Sequence, residues 1–485
     1  MTSPEMVRPV FHIIGILLAV LGVGMLVPAL LDSAIGHSDW IVFVTSSAIT
    51  IGAAGALYLG TSGPIERFGV KQTFLLTTMA WVVLAVFGAL PFMMSTTQLD
   101  FTDAFYEAMS GLSTTGGTVI VGLDNAPPGV LLWRALLNWF GGIGIIVMAI
   151  AILPVLRVGG MQLFRTESSD RGDKPFATVR DTANGITLTY LGLTVFSTVL
   201  FNLAGMDWFD AVCHAMAAVS TGGFSTKDAS LGYFESIPIL WVAVVSMISG
   251  AVPLTYYIRL LRNFGGAALA DSQVWTLMGI LVVSVGAMTG WAYFEVGLEF
   301  VPALSHSAVN VVSIITDTGF VSTDYSTWGG FPMVTFFFFF FIGGCTGSTS
   351  GSIKIFRWQI LFGSMQAQMI RMLQPHRVVV RTYNGKPVQP DVVDGVINFV
   401  FAYILSYVIL TLMIAATGLD MLTASSSVAS ALAGAGPGLG PVVGPAGTFA
   451  PLPDAAKWVL CLAMLLGRLE VFTVIVLFTR TFWRS

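Results

Sequence analysis

The chain has 485 residues, of which 55% are hydrophobic and only 10% are charged, and its mean hydropathy is +0.83. Soluble domains carry about 25% charged residues, so this composition excludes a soluble globular protein and indicates a polytopic membrane protein. The formal charge of −4 decides little, because in membranes the distribution of charge sets orientation and the sum does not.

A helix needs about 20 apolar residues to cross a bilayer. Nine runs meet that requirement: 10–31, 41–60, 74–94, 130–153, 186–203, 237–260, 274–294, 393–416 and 457–478. A tenth, from Phe331 to about Leu361, is interrupted. The first run is long and lacks an A-x-A exit, so it reads as a span and not as a cleavable signal.

Between the spans lie four segments too short to cross, each ending in small residues. They end in Thr114-Thr115-Gly116, Thr221-Gly222-Gly223, Asp317-Thr318-Gly319 and, more loosely, Gly434-Ala435-Gly436. The last glycines are spaced by 107, 96 and 117 residues, an internal fourfold repeat of the kind membrane folds build by duplication. The expected fold is an all-α polytopic membrane protein with four pseudo-repeats of span, pore helix, filter loop and span around a central pore, plus two extra N-terminal spans. Boundaries fall at 1–66 for the opening spans, then 67–160, 161–265, 266–375 and 376–485 for the repeats.

Orientation follows from the bases. Loops 61–73, 157–182, 259–273 and 354–392, with the termini, hold 18 of the 22 Lys and Arg; the others are Arg134, Lys227, Lys457 and Arg468. The positive-inside rule therefore places both termini in the cytoplasm, which requires an even number of spans, and ten satisfies it. The opposite face carries the acids, among them Asp32, Asp39, Glu107, Asp210 and Asp228. A carboxylate-rimmed mouth would concentrate cations, although any one of these acids reads equally well as an ordinary loop residue.

The short segments 101–112, 207–219, 302–315 and 420–433 read as helices opened by Asp or Pro, which suit a helix start. Their C-termini, with partial negative charge, aim at the loops and favour a cation there. Non-helical backbone at membrane depth is tolerated only where it is buried in protein or lines water. Thr-Gly sequences let successive carbonyls turn to one side, and a ring of carbonyls can replace the hydration shell of a monovalent cation, as in K⁺ channels.

The chain resembles the Trk/Ktr/HKT potassium transporter superfamily, most closely its bacterial TrkH-type subunits. The resemblance spans the whole chain and rests on the two extra opening spans and on five segments. These are Gly116-Gly117-Thr118-Val119-Ile120-Val121-Gly122-Leu123-Asp124, Gly222-Gly223-Phe224-Ser225-Thr226, Gly343-Gly344-Cys345-Thr346-Gly347-Ser348-Thr349, Gly436-Pro437-Gly438-Leu439-Gly440 and Gly467-Arg468-Leu469-Glu470-Val471-Phe472-Thr473. It implies a single-chain pseudo-tetrameric K⁺ pore in the bacterial inner membrane, usually a homodimer, working with a TrkA-type cytoplasmic nucleotide-binding subunit. K⁺ is then the transported ion, held by Thr114, Thr115, Gly116, Thr221, Gly222, Gly223, Asp317, Thr318, Gly319, Gly434, Ala435 and Gly436. Asp317, where the family has a neutral hydroxyl, and the small Gly434-Ala435 depart from that pattern. Asp317 either adds field strength or pairs with Lys227 or Arg468; the structural role is preferred.

In the third repeat, the run Gly343, Gly344, Cys345, Thr346, Gly347, Ser348, Thr349, Ser350, Gly351, Ser352 holds no large side chain and cannot keep a packed helix, since each interior glycine costs about 1 kcal/mol. It is expected to be a flexible intramembrane loop, and the resemblance implies that it gates. Arg468, well inside a span, is expected to face the pore below the filter, because an ionisable residue there needs protein or water around it. Glu470 lies on another helix face and is no automatic partner for Arg468. Lys354 is expected to anchor the loop at its inner end. The basic stretch 354–392, with Arg357, Arg371, Arg377, Arg381 and Lys386, docks a soluble partner or anionic lipid.

Cys213, Cys345 and Cys461 match no zinc, redox or disulfide spacing and read as packing residues. Nothing reads as a catalytic site, a covalently held cofactor or a nucleic-acid surface. The leading expectation is gated K⁺ uptake through the filter. The alternative is an ion-coupled K⁺ or Na⁺ symporter, against which stands a single broken span, in the third repeat, where carriers break helices in pairs.

Overall fold

A computed structural model describes residues 3–63, 69–152, 179–262, 271–384 and 386–484. Most of the basic loop 157–182, and parts of 61–73 and 259–273, lie outside the described residues. Helices dominate, and among the described residues strands are confined to Thr382–Tyr383 paired antiparallel with Lys386–Pro387.

Six helical stretches are long and apolar enough to cross a bilayer unaided: Val7–Ile35, Trp40–Gly60, Val70–Met94, Asp181–Leu203, Ser272–Phe294 and Pro390–Ala415. The helix Pro128–Ile152 and the interrupted pair Gly330–Phe339 and Ile355–Leu373 occupy two more of the expected spans. The remaining two are bent, and here the structure corrects the sequence reading. Ile237–Ala251 meets Leu254–Leu261 at 93°, and Asp454–Arg468 meets Val471–Phe478 at 116°. In the first pair Val252 is extended ahead of Pro253, which has no N–H to give a helix and disfavours helical backbone before it. In the second, Glu470 takes a left-handed φ of +62°. Broken spans therefore occur in three repeats, not one.

The four short helices form as expected, at Phe101–Leu112, Trp208–Val219, Phe300–Ile315 and Met421–Ala433. At 1.5 Å per residue none spans a hydrocarbon core of about 30 Å. Asp100, Asp207 and Asp420 cap their helices by accepting the N–H of Asp103, Phe209 and Thr423. The third starts at Phe300, placing Pro302 inside its first turn. Past their first turns these helices are largely buried, because the longer spans wrap around them.

The acids expected on the outer face divide. Asp32, Asp39, Glu107 and Asp210 are buried and act as braces: Asp32 accepts the N–H of Gly129, and Asp39 accepts both the N–H and the hydroxyl of Thr96. Asp124, Asp207, Glu235, Glu295, Glu299, Asp420 and Asp454 are exposed. Phe336, Phe339 and Phe340 pack inward while Phe338 faces out, so the phenylalanine run is packing material.

Candidate functional site

The four loops share one backbone pattern. The ring glycine and the residue two before it both have positive φ: Thr114 (+54°) and Gly116 (+84°), Thr221 (+52°) and Gly223 (+68°), Asp317 (+58°) and Gly319 (+94°), Gly434 (+82°) and Gly436 (+83°). The residue between donates its N–H back into the preceding helix, Thr115 to Ser110, Gly222 to Ala217, Thr318 to Ser313 and Ala435 to Ser430, at 2.8–3.0 Å. Such alternation turns carbonyls to one side. Two of the departures from the family pattern, Asp317 and Gly434, have a backbone reason, since Asp and Gly both suit a left-handed position better than threonine.

The loops also touch in sequence. A Cβ built on Gly116 would lie 2.3 Å from the Gly222 oxygen, one on Gly223 1.9 Å from that of Thr318, one on Gly319 2.5 Å from that of Ala435, and one on Gly436 2.9 Å from that of Thr115. Each glycine abuts the carbonyl just ahead of the next glycine, and the fourth returns to the first. The twelve expected filter residues are thus brought together into a closed ring in chain order. Among the described residues no cluster of three or more His, Cys, Asp or Glu is placed to hold a metal ion.

Three further glycines, of which only Gly467 was noted in the sequence as part of a motif, back the ring. Cβ atoms on Gly141, Gly250 and Gly467 would lie 1.9, 2.6 and 2.0 Å from the carbonyl oxygens of Leu112, Val219 and Leu432. Each carbonyl belongs to the residue four before its ring glycine, so the spans press directly on the helix ends behind the ring. A glycine recurring in the spans that follow the first, second and fourth loops was the available signal.

The small-residue loop lies against the ring and is not slack. Gly343 N–H donates to Ile353 O, Gly344 N–H to the Ser350 hydroxyl, Cys345 N–H to Ala251 O, and Thr346 N–H to the Gln273 side chain. Gly347 O accepts the N–H of Leu254, so this loop takes up backbone groups freed by the break at Pro253. The Ser348 hydroxyl returns to Cys345 O, and a Cβ on Gly351 would lie 2.2 Å from Ala433 O. The Thr349 hydroxyl meets the carbonyls of Val219 (3.1 Å) and Gly250 (3.0 Å) and receives the hydroxyl of Thr221 at 3.2 Å. Arg468, expected to face the pore, donates Nη1 to Thr349 O of the loop at 2.6 Å. Lys354, partly buried, sits immediately before Ile355–Leu373.

Neither ion pair offered for Asp317 forms, and one expected docking base is reassigned. Asp317 pairs with neither Lys227 nor Arg468; its Oδ2 accepts the Ser350 hydroxyl at 2.6 Å, because the third loop stands directly over the small-residue loop. Lys227 faces Asp210 at 3.6 Å. Arg357 is no docking base: it is buried, 2.5 Å from Glu470 Oε1 and 3.6 Å from the centre of the Phe399 ring. Glu470 stands at the 116° bend, so this pair pins the break in the fourth repeat to the start of the helix below the loop.

Comparison with known proteins gives the same outline. A family model described as "TrkH: Cation transport protein" matches residues 41–281 and 298–484. The chain is 42% identical over 478 residues to the Trk system potassium uptake protein TrkI of Halomonas elongata, spanning 98% of this chain and 97% of that one. It is 36% identical over 484 residues to the Trk system potassium uptake protein TrkH of Escherichia coli K12, spanning 99% of each. The crystal structure of the potassium transporter TrkH from Vibrio parahaemolyticus matches with a TM-score of 0.90 at 36% identity, over 98% of this chain and 99% of that one. Fold, ring and whole-length similarity agree that this polytopic membrane protein belongs to the TrkH family of cation transport proteins.

Proposed function

We propose that the chain takes up K⁺ across the bacterial inner membrane, passing dehydrated ions through the ring and gating them with the loop 343–352 beneath it. The observation that carries this reading is the closure of four like loops, glycine against carbonyl, with four helix C-termini directed at them. The relatives are named for potassium uptake and are matched along their whole length. In this reading both termini are cytoplasmic, two opening spans precede four repeats, and the chain works as a homodimer with a TrkA-type nucleotide-binding subunit. The exposed Met369, Met372, Leu373, Arg371 and Arg377 at the inner end of Ile355–Leu373 supply a surface for that subunit.

A coupled carrier is the second reading, favoured by the bends in the second and fourth repeats, because paired breaks are what rocking carriers use. Flux of ⁸⁶Rb⁺ into liposomes separates the two. Uptake that persists without any Na⁺ or H⁺ gradient is the expected result; strict dependence on such a gradient makes the chain a carrier, and absence of flux removes both readings.

A further inference from the structure

Each loop is held from behind by a polar side chain of its own short helix, and in three repeats that side chain sits nine residues before the ring glycine. Glu107, His214 and Asn310 occupy this position. Glu107 accepts the Thr118 hydroxyl at 2.9 Å and the Val119 N–H at 2.9 Å. His214 Nε2 meets the Ser225 hydroxyl at 2.9 Å; its Nδ1 faces the Asp210 carbonyl at 2.8 Å and must carry the proton, since a carbonyl only accepts. Asn310 accepts the Ser322 N–H at 3.0 Å. In the fourth repeat Ser426, one residue earlier, accepts the Leu439 N–H at 3.0 Å.

Only the first of these braces is charged, and it alone crosses to a neighbouring loop. Arg134, from the span after the first loop, donates Nε to Glu107 at 2.7 Å and Nη1 to the carbonyl of Ser225 in the second loop at 2.6 Å. Its guanidinium lies 4.1 Å from the centre of the Phe224 ring. Glu107 and Arg134 are 0% and 1% exposed, so neither charge has water to fall back on and both are held to this geometry. Loops one and two are also the pair that meet where Gly116 abuts the Gly222 carbonyl. A shift of one loop against the other changes that contact directly.

We propose that Glu107 and Arg134 are positioning residues for ion discrimination: the buried pair ties the outer ends of loops one and two together and so sets the width of the ring where those loops meet. This rests on the reading of the four loops as a selectivity filter. The test is Na⁺ competition against ⁸⁶Rb⁺ uptake in liposomes, with thermal unfolding in detergent measured alongside. The neutral double variant Glu107→Gln/Arg134→Gln leaves no unpaired charge. It is expected to lower the Rb⁺ over Na⁺ preference on the order of tenfold, the scale of a lost charge-assisted hydrogen bond. Asp103→Asn/Lys457→Gln, which removes a second ion pair from the same short helix without touching a loop, is expected to keep the preference. If the first double variant does not fold, Arg134→Lys keeps the charge but cannot reach both Glu107 and Ser225, and the same loss is expected at unchanged stability. A folded variant with unchanged preference, or an equal loss in the Asp103/Lys457 control, overturns the proposal. A wild-type chain that itself shows no preference overturns the filter reading beneath it.

Discussion

A side chain at Gly223 has nowhere to go. Its Cβ would stand 1.9 Å from the Thr318 carbonyl, and the backbone there is left-handed. Gly223→Ser should therefore change the K⁺ to Na⁺ flux ratio far more than protein yield. Gly122→Ala provides the contrast, since Gly122 is also left-handed (+81°) but faces open space; it should cost only the strain of about 1–2 kcal/mol, read as a small drop in melting temperature with the flux ratio intact. Arg468→Ala removes the donor that holds the Thr349 carbonyl and should raise basal ⁸⁶Rb⁺ flux; flux unchanged in a folded variant removes Arg468 from the gate. Glu470→Ala strands the buried Arg357 and should destabilise the protein by about 3 kcal/mol, measured by thermal unfolding, because a buried charge that loses its partner is left uncompensated.

At the scale of elements, the loop 343–352 is held by many bonds of ordinary length, so its release should be graded and not all-or-none. Thr349→Val keeps the volume and deletes a hydroxyl that meets the carbonyls of Val219 and Gly250 and the hydroxyl of Thr221; basal flux should rise severalfold at normal yield. Deleting residues 344–350 should raise it further, and flux abolished in a folded deletion variant would contradict a blocking role. The short helices were legible in the sequence because three begin with a capping Asp, the third in chain order carries a Pro in its first turn, and all end in Thr-Gly or Gly-rich backbone. The loop was legible because ten consecutive small residues cannot pack as a helix. The bends at Val252 and Glu470 were not, because one proline and one left-handed glutamate break a span without lowering its hydropathy. Arg357 was misjudged for a related reason: 113 residues separate it from its partner Glu470, and only the folded chain shows that a base at the end of a membrane loop is sealed beneath it.

For the whole molecule, the reading of both termini as cytoplasmic predicts that tags on residues 1 and 485 are cleaved by protease only in inverted vesicles; cleavage of either tag in right-side-out cells reverses the topology. On the proposed topology the outer charge is thinner than composition alone suggests, since Glu107, Asp32 and Asp210 are consumed as braces. Steering by the remaining exposed acids should give a modest fall in uptake rate as ionic strength rises. The threonine and aspartate at equivalent places in the second and third loops, Thr221 and Asp317, end on adjacent residues of the loop below, Thr349 and Ser350. On the proposed reading this makes the permeating ion an effector as well as a cargo. Whatever free energy ion occupancy contributes to the upper ring is felt below, and by thermodynamic reciprocity a displaced lower loop must alter ion affinity by the same factor, typically about 5–150-fold in coupled sites. A cysteine placed at Ser350 should accordingly be modified more slowly in K⁺ than in a large, impermeant cation, and Ser350→Ala should shift the apparent affinity for Rb⁺ even though it contacts no ion.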